Sequence, residues 1–268
     1  MLLAIDAGNT TICFALFQER RLLKKWRIAT PAPVEVCTDI PKEWSVGLQH
    51  ELTAMEFSDD DIEDVIISCV VPKFLRALHD FCLRCFSREP FVVGEPSLPL
   101  PVASLIDRPG EEGADLMANA FAAHVLYQGP LLVIDFGTAT TLSLIDHQGN
   151  FCGAIIAPGV NVSLQALYQS AAKLPEVPVI KPRNVIGTNT IDAMQSGIFW
   201  GYISMIEGLV ARIKAENFRG LLQDGLKVVA TGGLSSLIAP SCSTITHIDA
   251  DLTVKGLAFI YETLEKGK

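Results

Sequence analysis

Two stretches of this chain repeat one arrangement of chemistry-bearing residues. Leu2-Leu3-Ala4-Ile5-Asp6-Ala7-Gly8-Asn9-Thr10-Thr11 runs from an apolar segment into Asp-x-Gly and then into hydroxyl-bearing residues. Leu131-Leu132-Val133-Ile134-Asp135-Phe136-Gly137-Thr138-Ala139-Thr140 does the same. The layout describes a phosphate-binding hairpin. Its Gly permits a tight turn and close approach of the backbone to a ligand. Turn N–H groups and Thr hydroxyls donate to phosphate oxygens, and the Asp can hold a metal ion or its water shell. Two such hairpins facing each other would clamp a nucleoside triphosphate between two related domains.

Further candidates lie along the chain. Asp115, in Gly113-Ala114-Asp115-Leu116, stands before a helical pattern, where Asp is an ordinary N-cap. The same carboxylate could take a proton from a substrate hydroxyl. Thr190, in Gly187-Thr188-Asn189-Thr190, has a similar capping role open to it. Gly232 and Gly233, in Thr231-Gly232-Gly233, suit a plain strand-to-helix turn or the approach of an adenosine to bare backbone. Asp6 and Asp135 could each stabilise only their own turns. His50, His79, His124, His147 and His247 show no ligand spacing. Cys82-x-x-Cys85 puts two thiols on one helical face, without a second Cys or His pair to complete a metal site.

The elements that must position these residues follow from the hydrophobic pattern. Leu2–Ile5, Ile12–Phe17 and Arg21–Ile28 read as a strand meander. A helix at Trp44–Met55, a strand at Asp64–Val71 ended by Pro72, a helix at Phe74–Phe86 and a short strand at Phe91–Val93 come next. The Pro- and Gly-rich stretch from Gly94 to Gly113 reads as a linker, so the domains are expected at 1–114 and 115–268. A helix at Asp115–Tyr127 leads into the second hairpin and a strand at Phe151–Ile156. Pro158-Gly159 then turns into a helix at Ser163–Ser170. The longest helix should span Ile191–Ala215, with Ile191, Met194, Ile198, Met205 and Leu209 forming an apolar stripe. That stripe, with Trp200 and Tyr202 nearby, is expected to cover a two-fold partner in part. Val228–Ala230 is a strand and Leu252–Leu264 a helix.

Size and composition allow two modest domains or one large one, and the repeat favours two. The chain has 268 residues, of which 49% are hydrophobic, and a formal net charge of −9. No dense basic stripe appears, which argues against a nucleic-acid surface. The densest basic cluster, Arg20, Arg21, Lys24 and Lys25, reads as a solvated hairpin face. The N-terminal apolar run is broken at Asp6, too early for a signal peptide, and no apolar stretch approaches the ~18 residues of a membrane span. The seven cysteines, Cys37 among them, are odd in number and lack disulfide-like spacing, so a reducing cytoplasm is expected.

Two β-β-β-α-β-α repeats, each opened by an Asp-x-Gly hairpin, suggest an α/β fold of two ribonuclease-H-like domains, as in actin, sugar kinases and heat-shock ATPases. Six motifs narrow this: Asp6–Thr10, Gly113–Asp115, Asp135–Thr141, Gly153–Gly159, Gly187–Thr190 and Thr231–Gly233. Their order and separation resemble the type III pantothenate kinases. The resemblance implies ATP-dependent phosphorylation of pantothenate to 4′-phosphopantothenate, the first step of coenzyme A synthesis. It also implies ATP with Mg2+, a monovalent cation (K+ or NH4+) and a homodimer. By resemblance Asp115 is the general base, and Asp6, Ala7, Gly8, Asn9, Thr10, Thr11, Thr138, Gly232 and Gly233 bind the nucleotide. Gly113, Ala114, Asp115, Leu116 and Thr190 would contact pantothenate, and Asp135 would ligate the cation. The family normally carries Arg after the catalytic Asp, where this chain has Leu116. That departure keeps two alternatives in view: a same-fold kinase for another small hydroxylated substrate, and a nucleotide-binding regulatory homologue.

Overall fold

The computed structural model describes residues 1–31, 42–222 and 225–266; Cys37 lies outside them. Two compact units are present. One comprises Met1–Ala122 with Thr253–Lys268, the other Ala123–Leu252.

In the first unit β1 (Leu2–Ala7) is the pivot. It pairs antiparallel with β2 (Thr11–Gln18) and parallel with β4 (Asp64–Cys69). With β3 (Arg21–Ala29) and β5 (Phe91–Val92) the sheet order is β3-β2-β1-β4-β5. Strand alternation sends Leu3, Ile5 and Ala7 to one face. There they meet Trp44, Leu48 and Leu52 of α1 (Lys42–Ala54) and Phe74, Leu78 and Phe81 of α2 (Pro72–Phe86). Each fully buried Leu or Phe contributes about 1.5–3 kcal/mol relative to exposure, so this face dominates the unit's stability. Asp6 is thereby left on the opposite face, at the strand's carboxyl end. The predicted strand at 64–71 stops at Cys69 because Pro72 instead heads α2, where its missing N–H costs nothing.

Cys82 is wholly buried in this core, and burial pushes its thiol up to about 12. The basic hairpin is paired rather than bare: Arg20 binds Glu262 and Lys24 binds Glu51 at 2.9 Å.

The second unit repeats the plan. β6 (Leu131–Phe136) pairs antiparallel with β7 (Ala139–Ile145) and parallel with β9 (Lys227–Thr231). With β8 (Phe151–Pro158) and β10 (His247–Ile248) the order is β10-β9-β6-β7-β8, matching the first sheet strand for strand. Both sheets are therefore of the ribonuclease-H-like kind. β10 was not anticipated; two residues carry no period to read. Leu132, Ile134 and Phe136 pack on α5 (Thr190–Glu216) through Phe199, Ile203, Ile206 and Val210. The remaining helices are α3 (Ala114–Tyr127), α4 (Val160–Ser170), the short α6 (Ser235–Ile238) and α7 (Leu252–Lys266).

Much of the α5 stripe packs inside its own unit, while Ile191 stays 49% exposed. Met194 and Tyr202 are buried within their own unit, and Ile198, Met205 and Leu209 are partly buried against its core. The Tyr202 hydroxyl donates to the Pro158 carbonyl at 2.9 Å and meets Ser163 Oγ at 2.5 Å, so it secures the turn after β8.

Candidate active site

The two Asp-x-Gly hairpins are built alike but turn differently. Ala7 pairs with Ile12, whereas Phe136 pairs with Thr140, so the first turn is one residue longer. Gly8 N–H donates to Thr11 O at 3.0 Å, and a Cβ on Gly8 would sit 3.1 Å from that oxygen. Thr30 fastens the same loop, its hydroxyl donating to Gly8 O at 2.7 Å. Asn9, Thr10 and Thr11 are exposed at the tip, as are Gly137 and Thr138 in the second hairpin. Both tips therefore carry hydroxyl-bearing residues at the exposed end of a strand pair, a place a phosphate can reach.

Around the first hairpin the structure gathers the base candidate. Val70 N–H donates to Ala7 O at 3.1 Å. A methyl group on Gly113 would touch Val70 Cγ1 at 3.5 Å and strike Asp115 Oδ1. Asp115 is thus brought to the carboxyl end of β1 by the residue that follows β4. Its helix α3 begins at Ala114, and the Gly113 carbonyl accepts from Leu116 N–H (3.0 Å) and Met117 N–H (3.2 Å). Gly113 therefore holds the capping position, and Asp115 is the second helical residue rather than the N-cap. Its Oδ1 accepts from Leu116 N–H at 2.8 Å. Burial of the largely buried carboxylate raises its pKa above the ordinary value, against the lowering effect of that backbone bond. The Leu116 side chain faces the core, leaving its backbone toward Asp115.

The second hairpin gathers two further motifs. Gly159 packs on the turn: a Cβ there would strike Thr138 O and lie 2.5 Å from Gly137 O. Gly232, at φ +89°, packs on the end of β6: a Cβ would strike Asp135 Oδ1 and lie 2.7 Å from Phe136 N. Both the left-handed backbone and the missing side chain are required at Gly232. Ser235 locks this turn through its hydroxyl, which donates to Gly232 O at 2.7 Å.

Strand register adds residues that sequence reading missed. Thr141 and Thr231 flank Asp135 on neighbouring strands, and Ser68 flanks Asp6. The hydroxyls of all three are buried and have no hydrogen-bond partner among the described residues. A buried hydroxyl without a partner costs about 1–3 kcal/mol, so such groups beside a carboxylate mark a place built for something else. The available signal was a polar residue closing an otherwise apolar strand.

Thr190 is exposed and is the first residue of α5; the cap is Asn189, whose Oδ1 accepts from Asp192 N–H at 2.9 Å. The Thr190 hydroxyl is not spent on capping. Among the described residues no cluster of His, Cys, Asp and Glu has metal-ligand geometry. No helix among them is long and apolar enough to cross a membrane.

Comparison with known proteins places this geometry. A family model described as type III pantothenate kinase matches residues 2–212. The type III pantothenate kinase of Paramagnetospirillum magneticum is 49% identical over 261 residues, covering 97% of this chain and 96% of that protein. The type III pantothenate kinase of Rhodospirillum rubrum is 47% identical, covering 97% and 98%. Among solved structures, component A of the (R)-2-hydroxyglutaryl-CoA dehydratase of Acidaminococcus fermentans matches with a TM-score of 0.54 and 13% identity. That match covers 100% of this chain and 99% of the other, a likeness of fold.

Proposed function

The chain belongs to the type III pantothenate kinase family, and from that membership we propose how its residues phosphorylate pantothenate with ATP. The observation that carries the reading is Asp115, a desolvated carboxylate held at the end of β1 beside the first phosphate hairpin. Asp115 orients the 4′-hydroxyl of pantothenate and accepts its proton. The hydroxyl oxygen takes the γ-phosphoryl group, the bond to the β-phosphate oxygen breaks, and ADP leaves. Phosphoryl transfer is mostly positioning and charge neutralisation, so a carboxylate that acts late suffices.

Asn9, Thr10 and Thr11, with Thr138, donate to the phosphates, and Ala7 and Gly8 bind the nucleotide by shaping the turn that presents them. Gly232 and Gly233 admit the adenosine to bare backbone. Gly113, Ala114 and the Leu116 backbone, with the Thr190 hydroxyl, contact pantothenate. Asp6 would hold the magnesium that accompanies ATP. Asp135 ligates a potassium or ammonium ion. The flanking Thr141 and Thr231 hydroxyls fit that role, since an all-oxygen donor set with one charge suits a hard, weakly charged cation. When bound, these ions neutralise phosphate charge.

An assay of ADP release with pantothenate and a panel of other small hydroxy acids tests the reading. Turnover should depend on pantothenate. ADP release indifferent to it, or faster with another acceptor, would defeat the assignment.

The proposal includes a cytoplasmic homodimer. Its apolar contact is expected from the exposed end of the α5 stripe, Ile191 at 49% exposure, together with Ile156, Val185 and Ile186, which are 71%, 63% and 79% exposed. Sedimentation at micromolar concentration should give a dimer of the 29.0 kDa chain. Ile186→Asp should shift it toward monomer; a wild-type monomer would end the claim.

A further inference from the structure

α7 belongs to the same unit as the start of α3, although residues 123–252 separate them in sequence. The two helices touch at backbone distance. A methyl group added to Gly256 would strike the Ala118 carbonyl oxygen and lie 2.6 Å from its carbon. The obstacle is main chain, so no side-chain rotation relieves it. Next to this contact, Thr253 Oγ1 donates to Asn119 Oδ1 at 2.8 Å, and Asn119 is almost fully buried. Ala118 and Asn119 stand three and four residues after Asp115, the spacing that puts them on its face of the helix, one turn on. The other end of α7 is tied to the sheet. Tyr261 Oη donates to Asp64 Oδ2 at 2.5 Å, where β4 begins, and Glu262 takes the Arg20 guanidinium in a fork at 2.8 and 3.0 Å.

We propose that α7 is the positioning element for the catalytic base, with Gly256 and Thr253 setting how far the first turn of α3, and hence Asp115, stands from the sheet that carries Asp6. The inference rests on the reading of Asp115 as base. Close packing makes it consequential: helices in van der Waals contact at backbone cannot absorb a methyl group without moving apart. A displacement of about 1 Å at a catalytic group costs on the order of 100-fold in rate.

The test is steady-state kinetics of Gly256→Ala and Thr253→Val with ATP varied up to saturation at saturating pantothenate, well below each melting temperature. Trp44→Leu serves as control, because it opens a cavity between α1 and the face of the sheet that carries Leu3, Ile5 and Ala7. Gly256→Ala should lower kcat about 10- to 100-fold while KM for ATP stays within about 2-fold. Thr253→Val keeps side-chain volume and deletes one hydrogen bond, so it folds if Gly256→Ala does not, and should lower kcat about 3- to 10-fold. Trp44→Leu should keep kcat within about 2-fold despite a lower melting temperature. In an Asp115→Asn background, Gly256→Ala should cost nothing further, because both act on one group. Unchanged kcat in both α7 variants, an equal loss in Trp44→Leu, or a multiplicative loss in the double variant would each overturn the proposal. Wild-type turnover by Asp115→Asn alone would remove the base reading, and this inference with it.

Discussion

Replacing Asp115 with Asn is expected to lower turnover at least ~100-fold, the scale of a lost general base, while the protein melts at a higher temperature at neutral pH. Both halves follow from burial. Asn keeps an oxygen for the Leu116 N–H and fits over Gly113 as Asp does, so the helix start is preserved. Burial raises the folded-state pKa of Asp115 above its unfolded value. The sign is then fixed: the folded state binds the proton more tightly, so stability is highest below the unfolded pKa of about 3.9 and is lost as pH rises through the folded value. Asn carries no such penalty. The stability gain should therefore be present at pH 7 and vanish below about pH 3.9. Wild-type turnover should fall with acidification through a pKa above the ordinary carboxylate range. Melting curves and pH–rate profiles of the two proteins check this. An Asn variant that turns over normally would leave Asp115 a structural residue.

Removing the carboxylate at 135 should cost as much. Activity is expected in potassium or ammonium and should be poor in sodium or a bulky organic cation. Asp135→Ala should lose this dependence together with about 100- to 1,000-fold in turnover, the scale for deleting a group that stabilises transition-state charge. A second readout does not involve turnover. Potassium should raise the melting temperature of the wild type in the presence of a non-hydrolysable ATP analogue, and should not do so for Asp135→Ala. Thr231→Val, which deletes one of the buried hydroxyls flanking Asp135, should retain activity but require more potassium. Equal rates in every salt would rule out the cation role.

The repeat was legible because it is local: an apolar run, Asp-x-Gly and hydroxyls sit within ten residues, and each copy folds into an antiparallel hairpin. Helix positions were legible from period and Pro placement. What escaped was of two kinds. Some features differ by a single residue, as when Asp115 and Thr190 each prove to lie inside the helix whose cap is Gly113 or Asn189. Propensity does not separate neighbouring positions of one helix start. Others depend on residues far apart. Ser68 and Thr231 are ordinary strand residues until register sets them beside Asp6 and Asp135. Tyr202 read as surplus apolar surface on α5, yet its hydroxyl holds the Pro158 carbonyl. A helical period names the buried face and not what covers it, so the α5 stripe could not be divided between its own unit and a partner, and the attachment of α7 went unread.

The discontinuity of the first unit has a consequence for how the protein is made. Residues 1–122 emerge from the ribosome first, but Thr253 and its successors complete their unit. Until then α3 lacks the helix that meets Ala118 and Asn119. At roughly 5–20 residues per second, the 123–252 stretch takes on the order of ten seconds to synthesise. Late in that interval the nascent chain holds both hairpins while α3 still lacks α7, so ATP affinity can be acquired before catalytic competence. Translation arrest near residue 252 would then leave a polypeptide that engages nucleotide and transfers nothing.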